Sequence, residues 1–280
     1  MLPLNYITKT VPYYKNGLNI IKAGHANGQP NMGVKQGPNV LLDYHNLYRA
    51  IESTGTYDDI VVTDTHGGYD NYDHLTIGGD HMIAFDSIAY QLSMHESKRV
   101  GVIWIDAHAD INTKSTTNSF NKHGMVVSNL MKIDDSIYTH HSFNALLPEN
   151  IVYVGLRDVE PKEQELIDEF KIENCSSDQI HMSGVYHYLY HALKWTLKDC
   201  DHIHVSFDVD VMDPIIFPAT GTPVDKGLDY NQVMEITRIL KNDHRVKSMD
   251  MVEYDPTKDD DRYSCGLMCN DIILSTLTGK

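Results

Sequence analysis

A triplet of carboxylates and histidine follows a short apolar run in the middle of this 280-residue chain. Residues 100–105 are apolar and rich in β-branched side chains, and Asp106, His108 and Asp110 come directly after them. Carboxylates at the end of a buried strand are costly to remove from water unless a cation neutralises them. Taken alone, the triplet has two interpretations: a solvated turn, or ligands for a divalent cation.

A second segment repeats this arrangement and favours the cation. An apolar run that ends near Phe207 leads into Asp208 and Asp210. Earlier in the chain, two glycines precede His81, and such a tight turn would present the histidine at the edge of a sheet. On its own, a histidine in that position would more often cap a helix or fill the core than bind a metal.

Together these segments offer six candidate ligands. A single catalytic ion that keeps an open coordination position would use fewer. They are His81, Asp106, His108, Asp110, Asp208 and Asp210. Four aspartates balance the charge of two divalent ions, which favours a dinuclear site. Alternate side chains of an extended segment point in opposite directions, so the backbone must bend for the ligands to converge.

Oxygen-rich ligands with two histidines suit manganese better than zinc or copper, although affinity alone leaves zinc, iron and cobalt open. Two ions about 3.5–4 Å apart can lower the pKa of a water held between them. The residues therefore predict metal-assisted hydrolysis.

The elements that must position these ligands alternate between strand and helix patterns. Strands are predicted near residues 18–23, 60–62, 74–77, 100–105, 151–156, 202–207 and 246–253, and helices near residues 39–53, 82–92, 184–197, 231–241 and 264–276. This order predicts an α/β fold in which helices cover both faces of a central, mostly parallel sheet. Ligands in such folds bind beyond the carboxyl ends of the strands, where the polar clusters fall. No linker or repeat interrupts the chain, so residues 1–280 are expected to form one domain.

Composition narrows the classes of partner and compartment. The formal net charge of −16 argues against binding to nucleic acids or anionic membranes. No apolar stretch is long enough to cross a bilayer, and the N-terminus lacks the order of a signal peptide. The four cysteines match no zinc spacing, which favours reduced thiols and a cytoplasmic protein. A homo-oligomer is one of the assemblies that the sequence leaves open.

Four motifs in combination resemble the ureohydrolase superfamily, and within it the arginases most closely. They are GGDH at 78–81, DAHADIN at 106–112, SFDVDVMDP at 206–214 and PATGTPV at 218–224. The resemblance, which runs from about Gly28 to Pro256, implies a three-layer α/β/α fold and two Mn²⁺ ions per chain. In the family pattern one ion is held by His81, Asp106, Asp110 and Asp208. The other is held by Asp106, His108, Asp208 and Asp210, so that Asp106 and Asp208 bridge the pair.

The resemblance also implies the reaction, hydrolysis of L-arginine to L-ornithine and urea. The loop after DAHADIN carries the arginase pattern of amide, hydroxyl and histidine side chains, namely Asn112, Thr117, Ser119, Asn121 and His123. Short amides and hydroxyls suit a free carboxylate, because they donate hydrogen bonds without adding a charge. Agmatine has no carboxylate, and the enzymes that hydrolyse it lack this set.

The remaining site residues are also implied by the family pattern. His123 matches its proton shuttle, and Glu253 matches a carboxylate that pairs with the guanidinium; with the ligand Asp110 they form the expected catalytic set. Thr222 matches a position behind the metal ligands. VGLRDVEP at 154–161 places Asp158 and Glu160 in substrate binding, the latter at the α-amino group.

Two departures from the pattern bear on substrate choice. Glu160 stands where an aspartate is usual, and Phe120 stands where a glycine is common. Two alternatives therefore stay open: another guanidino hydrolase, agmatinase-like or specific for a guanidino acid, and a metal-binding regulatory homologue that has lost turnover. The presence of both His123 and Glu253 argues against the second, since a regulatory protein needs neither.

Overall fold

The structure, a computed structural model, describes residues 16–96, 99–139 and 142–279. Its strands are β1 (Gly17–Ala23), β2 (Asp59–Thr63), β3 (Asp73–Gly78), β4 (Val100–Ile105), β5 (Ile151–Leu156), β6 (Glu173–Ser176), β7 (His202–Asp208) and β8 (Val246–Val252). They form one parallel sheet in the order β2-β1-β3-β8-β7-β4-β5-β6. Each strand that the sequence predicts is present, with ends within one residue of the prediction.

Helices cover both faces of this sheet. They are α1 (Gly37–Asn39), α2 (Leu47–Thr54), α3 (Ile83–Met94), α4 (Val126–Leu130), α5 (Pro161–Phe170), α6 (Ser177–Ser183), α7 (Tyr186–His191), α8 (Tyr230–Lys241) and α9 (Ser264–Leu277). Alternate residues of β4 pack into two different cores. Ile103 and Ile105 join the core beneath α2, α8 and α9, and Val102 and Trp104 join the core beneath α3, α4 and α5. The predicted three-layer α/β/α fold is confirmed.

Every residue of β4, β5 and β7 is buried. Strands with both faces covered consist of nearly continuous apolar runs, which explains why the sequence locates these strands well. Five adjacent strands, β3, β8, β7, β4 and β5, end at the same edge of the sheet. The polar segments that follow them therefore lie next to one another.

The prediction of one continuous helix over residues 39–53 is wrong. A π-helical turn spans Val40–Tyr44, and Asn46 then adopts a left-handed conformation (φ 52°) that ends it before α2 begins. Asparagine tolerates this conformation better than most residues. The helix predicted over 184–197 is likewise divided, into α7 and a π-helical turn at Ala192–Thr196.

Sequence patterns did not predict β6 or the helices α4, α5 and α6. β6 is a four-residue edge strand with one buried residue, so it has no apolar run. The four cysteines are buried and free of disulfides, as expected. In the described part of the chain, no helix has the length and apolar character needed to cross a membrane.

Candidate active site

The chain bends sharply after β4, as convergence of the ligands requires. Asp106 Oδ1 accepts a hydrogen bond from the backbone N–H of His108 (2.7 Å), which closes a tight turn. Asp110 has a positive φ of 49°. Non-glycine residues in this region carry strain and cluster at functional sites. The bend turns all three side chains of the triplet toward the same edge of the sheet.

His81 lies at the centre of a first ligand cluster. Its Nδ1 is 3.0 Å from Asp106 Oδ2, 3.1 Å from Asp110 Oδ2 and 3.1 Å from Asp208 Oδ2. None of these oxygens has hydrogen-bond geometry toward Nδ1, which is buried and has no hydrogen-bond partner among the described residues. The other ring nitrogen lies 2.9 Å from Ser206 Oγ. A proton on that nitrogen leaves the Nδ1 lone pair for a metal.

A second cluster shares Asp106 with the first. His108 Nδ1 lies 3.1 Å from Asp210 Oδ2 and 3.4 Å from Asp106 Oδ1. Asp106 thus directs one oxygen to each cluster, as a bridging carboxylate must. Asp208 directs Oδ2 to the first cluster, while its Oδ1 accepts the backbone N–H of Asp210 (2.8 Å). All six predicted ligands are therefore brought together, with a bridging arrangement visible at Asp106.

The buried carboxylates repel one another. Burial and the neighbouring Asp210 and Asp106 raise the pKa of Asp208 well above its usual range, and burial and Asp106 raise the pKa of Asp110. Burial opposes protonation of His81, but the surrounding carboxylates outweigh it and hold its pKa well above the usual value. The buried carboxylates therefore favour a positive charge between them, and the ligand atoms form two groups that could each hold a divalent cation.

Neighbouring side chains hold these ligands in place. Trp104 Nε1 donates to Asp106 Oδ2 (3.0 Å), and the Trp104 ring stacks on His81 at 4.2 Å between centroids. Thr222 Oγ1 donates to Asp210 Oδ2 (2.9 Å), so Thr222 supports a candidate ligand. Arg157 donates to the backbone carbonyls of Asp210 (2.5 Å) and Val224 (2.9 Å), which fixes the turn after β7.

A cavity of about 250 Å³ opens onto these clusters. The predicted substrate-binding residues that line it are Asn112, Thr117, Ser119, Asn121, Asp158, Glu160 and Thr222. His108, Asp110, Asp208 and His123 line the same cavity. One space therefore joins the metal ligands, the polar loop and the acidic start of α5.

The polar loop is stabilised by its own side chains. Thr117 Oγ1 accepts the N–H of Phe120 (3.1 Å), and Ser119 Oγ accepts the N–H of Asn121 (3.2 Å). Asn112 Oδ1 accepts a hydrogen bond from Thr116 Oγ1 (2.8 Å). This bond occupies the acceptor of Asn112, so the groups that it offers to a ligand are amide donors, as a carboxylate requires.

Glu253 lies behind the cavity rather than on its wall. It is fully buried with a positive φ of 65°, and its Oε1 accepts the backbone N–H of His81 (2.8 Å) and lies 3.2 Å from His123 Nδ1. Its Oε2 accepts a hydrogen bond from Gln29 Nε2 (2.5 Å). The structure brings Glu253 to His123 and does not bring it to the cavity surface.

His123 is largely buried at the cavity wall, with 16% of its side chain exposed. Burial lowers the pKa of a histidine, but the Glu253 carboxylate more than offsets this and raises the pKa of His123 above its usual value. A protonated imidazole that faces a cavity can donate a proton to a bound molecule.

Glu163 is a cavity residue that the sequence analysis missed. Its carboxylate accepts the N–H of Glu160 (3.1 Å) and of Ile111 (3.2 Å), and burial raises its pKa to about 7. The sequence held a signal for it, because an acidic residue at the third position of a helix that starts with proline closes a capping box. Gln29 was missed too, and its glycine-rich loop offered no signal.

Comparisons with known proteins agree on one family. A family model described as "Arginase family" matches residues 68–278. Mitochondrial arginase-2 of Mus musculus is 32% identical over 92% of this chain and 83% of that protein. Arginase from Bacillus subtilis superposes with a TM-score of 0.85 at 26% identity, covering 95% of this chain and 99% of that one. Arginase from Entamoeba histolytica, solved in complex with L-ornithine, has a TM-score of 0.81 at 26% identity over the same shares.

Proposed function

Since this chain belongs to the arginase family of metal-dependent hydrolases that act on guanidino groups, we propose that its substrate is L-arginine and its products are L-ornithine and urea. One observation carries the proposal. A single cavity is lined by metal-ligand side chains, by a loop of amide and hydroxyl groups and by three carboxylates at the start of α5. These match the guanidinium, carboxylate and ammonium of an amino acid.

The proposed cofactor is a pair of Mn²⁺ ions. The residues that would hold them are His81, Asp106, His108, Asp110, Asp208 and Asp210. Divalent ions supply the Lewis acidity that makes water nucleophilic near neutral pH. The carboxylate-rich ligand set suits manganese among the available metals.

The chain's own groups would orient the substrate. Asn112, Ser119 and Asn121 would donate hydrogen bonds to the α-carboxylate, and Asp158 and Glu160 would accept them from the α-ammonium. These groups lie on two segments that line the same cavity, the polar loop and the start of α5. A substrate held at both α-substituents would direct its guanidinium toward Asp110 and Asp208.

Hydrolysis adds water across the guanidinium carbon and breaks its bond to the chain nitrogen, which leaves as an amine. That nitrogen needs a proton, and in this proposal His123 would donate it, with Glu253, 3.2 Å away, stabilising the protonated ring. The predicted contact between Glu253 and the guanidinium stays a prediction; it requires the carboxylate to exchange one of its present partners. The His123–Glu253 pair supports a catalytic protein over a regulatory homologue.

The substrate assignment is tested by comparing L-arginine with agmatine, which differs only in the missing carboxylate. Loss of one hydrogen bond to a charged group lowers affinity by about ten- to a hundredfold. We expect kcat/KM for L-arginine to exceed that for agmatine by at least about 10²-fold, and Asn121→Ala to reduce turnover of arginine while agmatine changes little. Equal turnover of the two substrates would defeat this proposal and favour a broader guanidino hydrolase.

The proposed partner is therefore a small guanidino molecule. We propose no nucleic-acid or membrane partner. Cytoplasmic localisation stays a prediction, since the related mouse protein is named as mitochondrial. Detection of the tagged protein by fluorescence microscopy in its own cells would decide between these compartments.

A further inference from the structure

One hydrogen bond joins the polar loop to the start of α5, two segments that contribute residues to the cavity. Asn118 Nδ2 donates to Glu160 Oε2 at 3.0 Å, across 42 positions of the chain. Asn118 is exposed and lies in the middle of the polar loop, whereas Glu160 is half-buried and lines the cavity. The two residues flank the space that would receive the α-substituents of an amino acid.

This bond connects the middle of the loop to another segment of the chain, whereas the neighbouring side-chain hydrogen bonds stay within the loop. The loop is fixed near its start by the N–H of Lys114, which donates to Asp134 Oδ2 (2.7 Å), and near its end by the N–H of His123, which donates to the carbonyl of Gly28 (3.4 Å). Between these anchors, the hydrogen bonds of Thr117 and Ser119 stay within the loop. Asn118 therefore connects the centre of the loop to the start of α5.

The bond also restricts a flexible carboxylate. Glu160 has one more rotatable bond than an aspartate, and ordering a long side chain costs conformational entropy. A charge-assisted hydrogen bond from an amide holds one of its oxygens, while the N–H of Glu160 is fixed by Glu163. Glu160 lines the cavity, so this bond limits the range of positions that its carboxylate takes there. An ammonium group is the chemistry that such a carboxylate recognises.

We propose that Asn118 is a positioning residue that determines specificity for the α-amino group, because it holds Glu160 where the carboxylate meets the substrate ammonium. This inference rests on the proposed function and deepens it. The hydrogen bond between Asn118 and Glu160 makes the enzyme selective against guanidino acids, which share the carboxylate and guanidinium of arginine and lack the α-amine. The selectivity belongs to the Asn118–Glu160 pair rather than to Glu160 alone.

The test compares L-arginine with 5-guanidinopentanoate, which is arginine without its α-amino group. For Asn118→Ala we expect KM for L-arginine to rise roughly 5- to 10-fold with kcat within about 2-fold, from one lost hydrogen bond near solvent. KM for 5-guanidinopentanoate should stay unchanged. Asn118→Asp has the same shape but opposes Glu160 with a like charge, so its effect on arginine should be larger.

Two controls separate positioning from general damage to the loop. Ser115→Ala alters an exposed side chain of the same loop whose hydroxyl contacts Thr113, and it should change neither KM. In a Glu160→Gln background, Asn118→Ala should add little to KM for arginine. An equal rise in KM for both substrates would overturn the inference in favour of a purely structural role, and an unchanged KM for arginine would also overturn it.

A binding measurement keeps this test independent of turnover. Calorimetry on the manganese-loaded protein should show that Asn118→Ala weakens L-ornithine several-fold and leaves 5-aminopentanoate unchanged. Equal effects on the two ligands would contradict the role of Asn118. If the wild type failed to hydrolyse L-arginine, the proposed function would fall, and the ornithine comparison would still decide whether Asn118 positions Glu160 for an amine.

Discussion

Two site residues, Asp110 and Glu253, hold positive φ angles that side chains rarely adopt. Asp110 lies in the segment after β4 and Glu253 directly follows β8, at the same edge of the sheet. Glu253 is held there by its N–H, which donates to the carbonyl of Gly79 (2.8 Å), and by the contact of its carboxylate with His123. At the scale of single residues, the site depends on backbone strain that the surrounding sheet enforces.

His123 gives the sharpest prediction at this scale. Asparagine keeps a polar side chain of similar size but cannot transfer a proton near neutral pH. His123→Asn should therefore lower kcat on the order of 10²-fold, the low end for a lost acid–base group, while metal content and circular dichroism stay unchanged. Steady-state release of urea and elemental analysis measure the two quantities. A variant with wild-type kcat would remove His123 from the mechanism.

At the scale of elements, β7 and β8 carry a buried polar column toward the site. His202 Nε2 and His204 Nδ1 lie 2.9 and 2.8 Å from Ser248 Oγ, and His204 Nε2 lies 2.8 Å from Asp250 Oδ2. Ser87 on α3 donates to the same Asp250 oxygen (2.7 Å). These residues alternate along the strands, so one sheet face is polar where it meets α3. A buried network of this kind is stable only while its hydrogen bonds are satisfied.

His74 on β3 lies beside this column and makes the fold sensitive to acid. Burial, and then the nearby His204, lower the pKa of His74 from 6.5 to about 4. Asp70 opposes the shift and His95 adds to it. Between about pH 4 and 6.5 the unfolded chain thus binds a proton that the folded chain does not. This contribution to stability is present above pH 6.5 and is lost as the pH falls toward 4.

We therefore expect His74→Gln to flatten the pH dependence of the unfolding free energy in that window, by at most about 1.4 kcal/mol per pH unit. Urea denaturation of both manganese-loaded proteins from pH 4 to 7 measures the difference in slope, in which contributions from the metal site cancel. His187→Gln, at an exposed histidine of α7, is the control and should leave the slope unchanged. Parallel curves for wild type and His74→Gln would contradict the assignment.

At the scale of the molecule, the candidate metal ligands lie at or after the ends of three strands, β3, β4 and β7, so bound ions would crosslink the centre of the sheet. Without ions, buried carboxylates from different strands repel one another. Ligand present at about a hundredfold excess over its Kd stabilises a folded protein by about 2.7 kcal/mol per site. For a chain of this size, that is a rise in Tm of about 5 °C or more.

Chelation should accordingly lower Tm and abolish activity, and added Mn²⁺ should restore both. Asp208→Ala should lose activity and metal together, whereas Asp213→Ala, at an aspartate outside the ligand clusters, should keep the metal. Scanning calorimetry and elemental analysis are the measurements. A fully active enzyme with one ion per chain would contradict the two-ion site, and an unchanged Tm after chelation would contradict the crosslinking role.

What the sequence determined by itself was local. Apolar, β-branched runs located seven of the eight strands, and the runs are most continuous in β4, β5 and β7, which are covered on both faces. The parallel order then required the segments after those strands to share one edge, and this brought the six candidate ligands together. The loop residues Asn112 to His123 were predicted from the resemblance to the arginases, and their closeness in the chain is kept in the cavity wall.

Only the tertiary structure decided the features that depend on distant contacts or on backbone conformation. Gln29 meets Glu253 across 224 positions, and Asn118 meets Glu160 across 42, so no local pattern predicts either pair. Glu253 turned behind the cavity because its positive φ and its bond to His81 direct it there. Side-chain types and periodicity specify which groups reach an edge of the sheet; packing between remote segments decides which of them face the substrate.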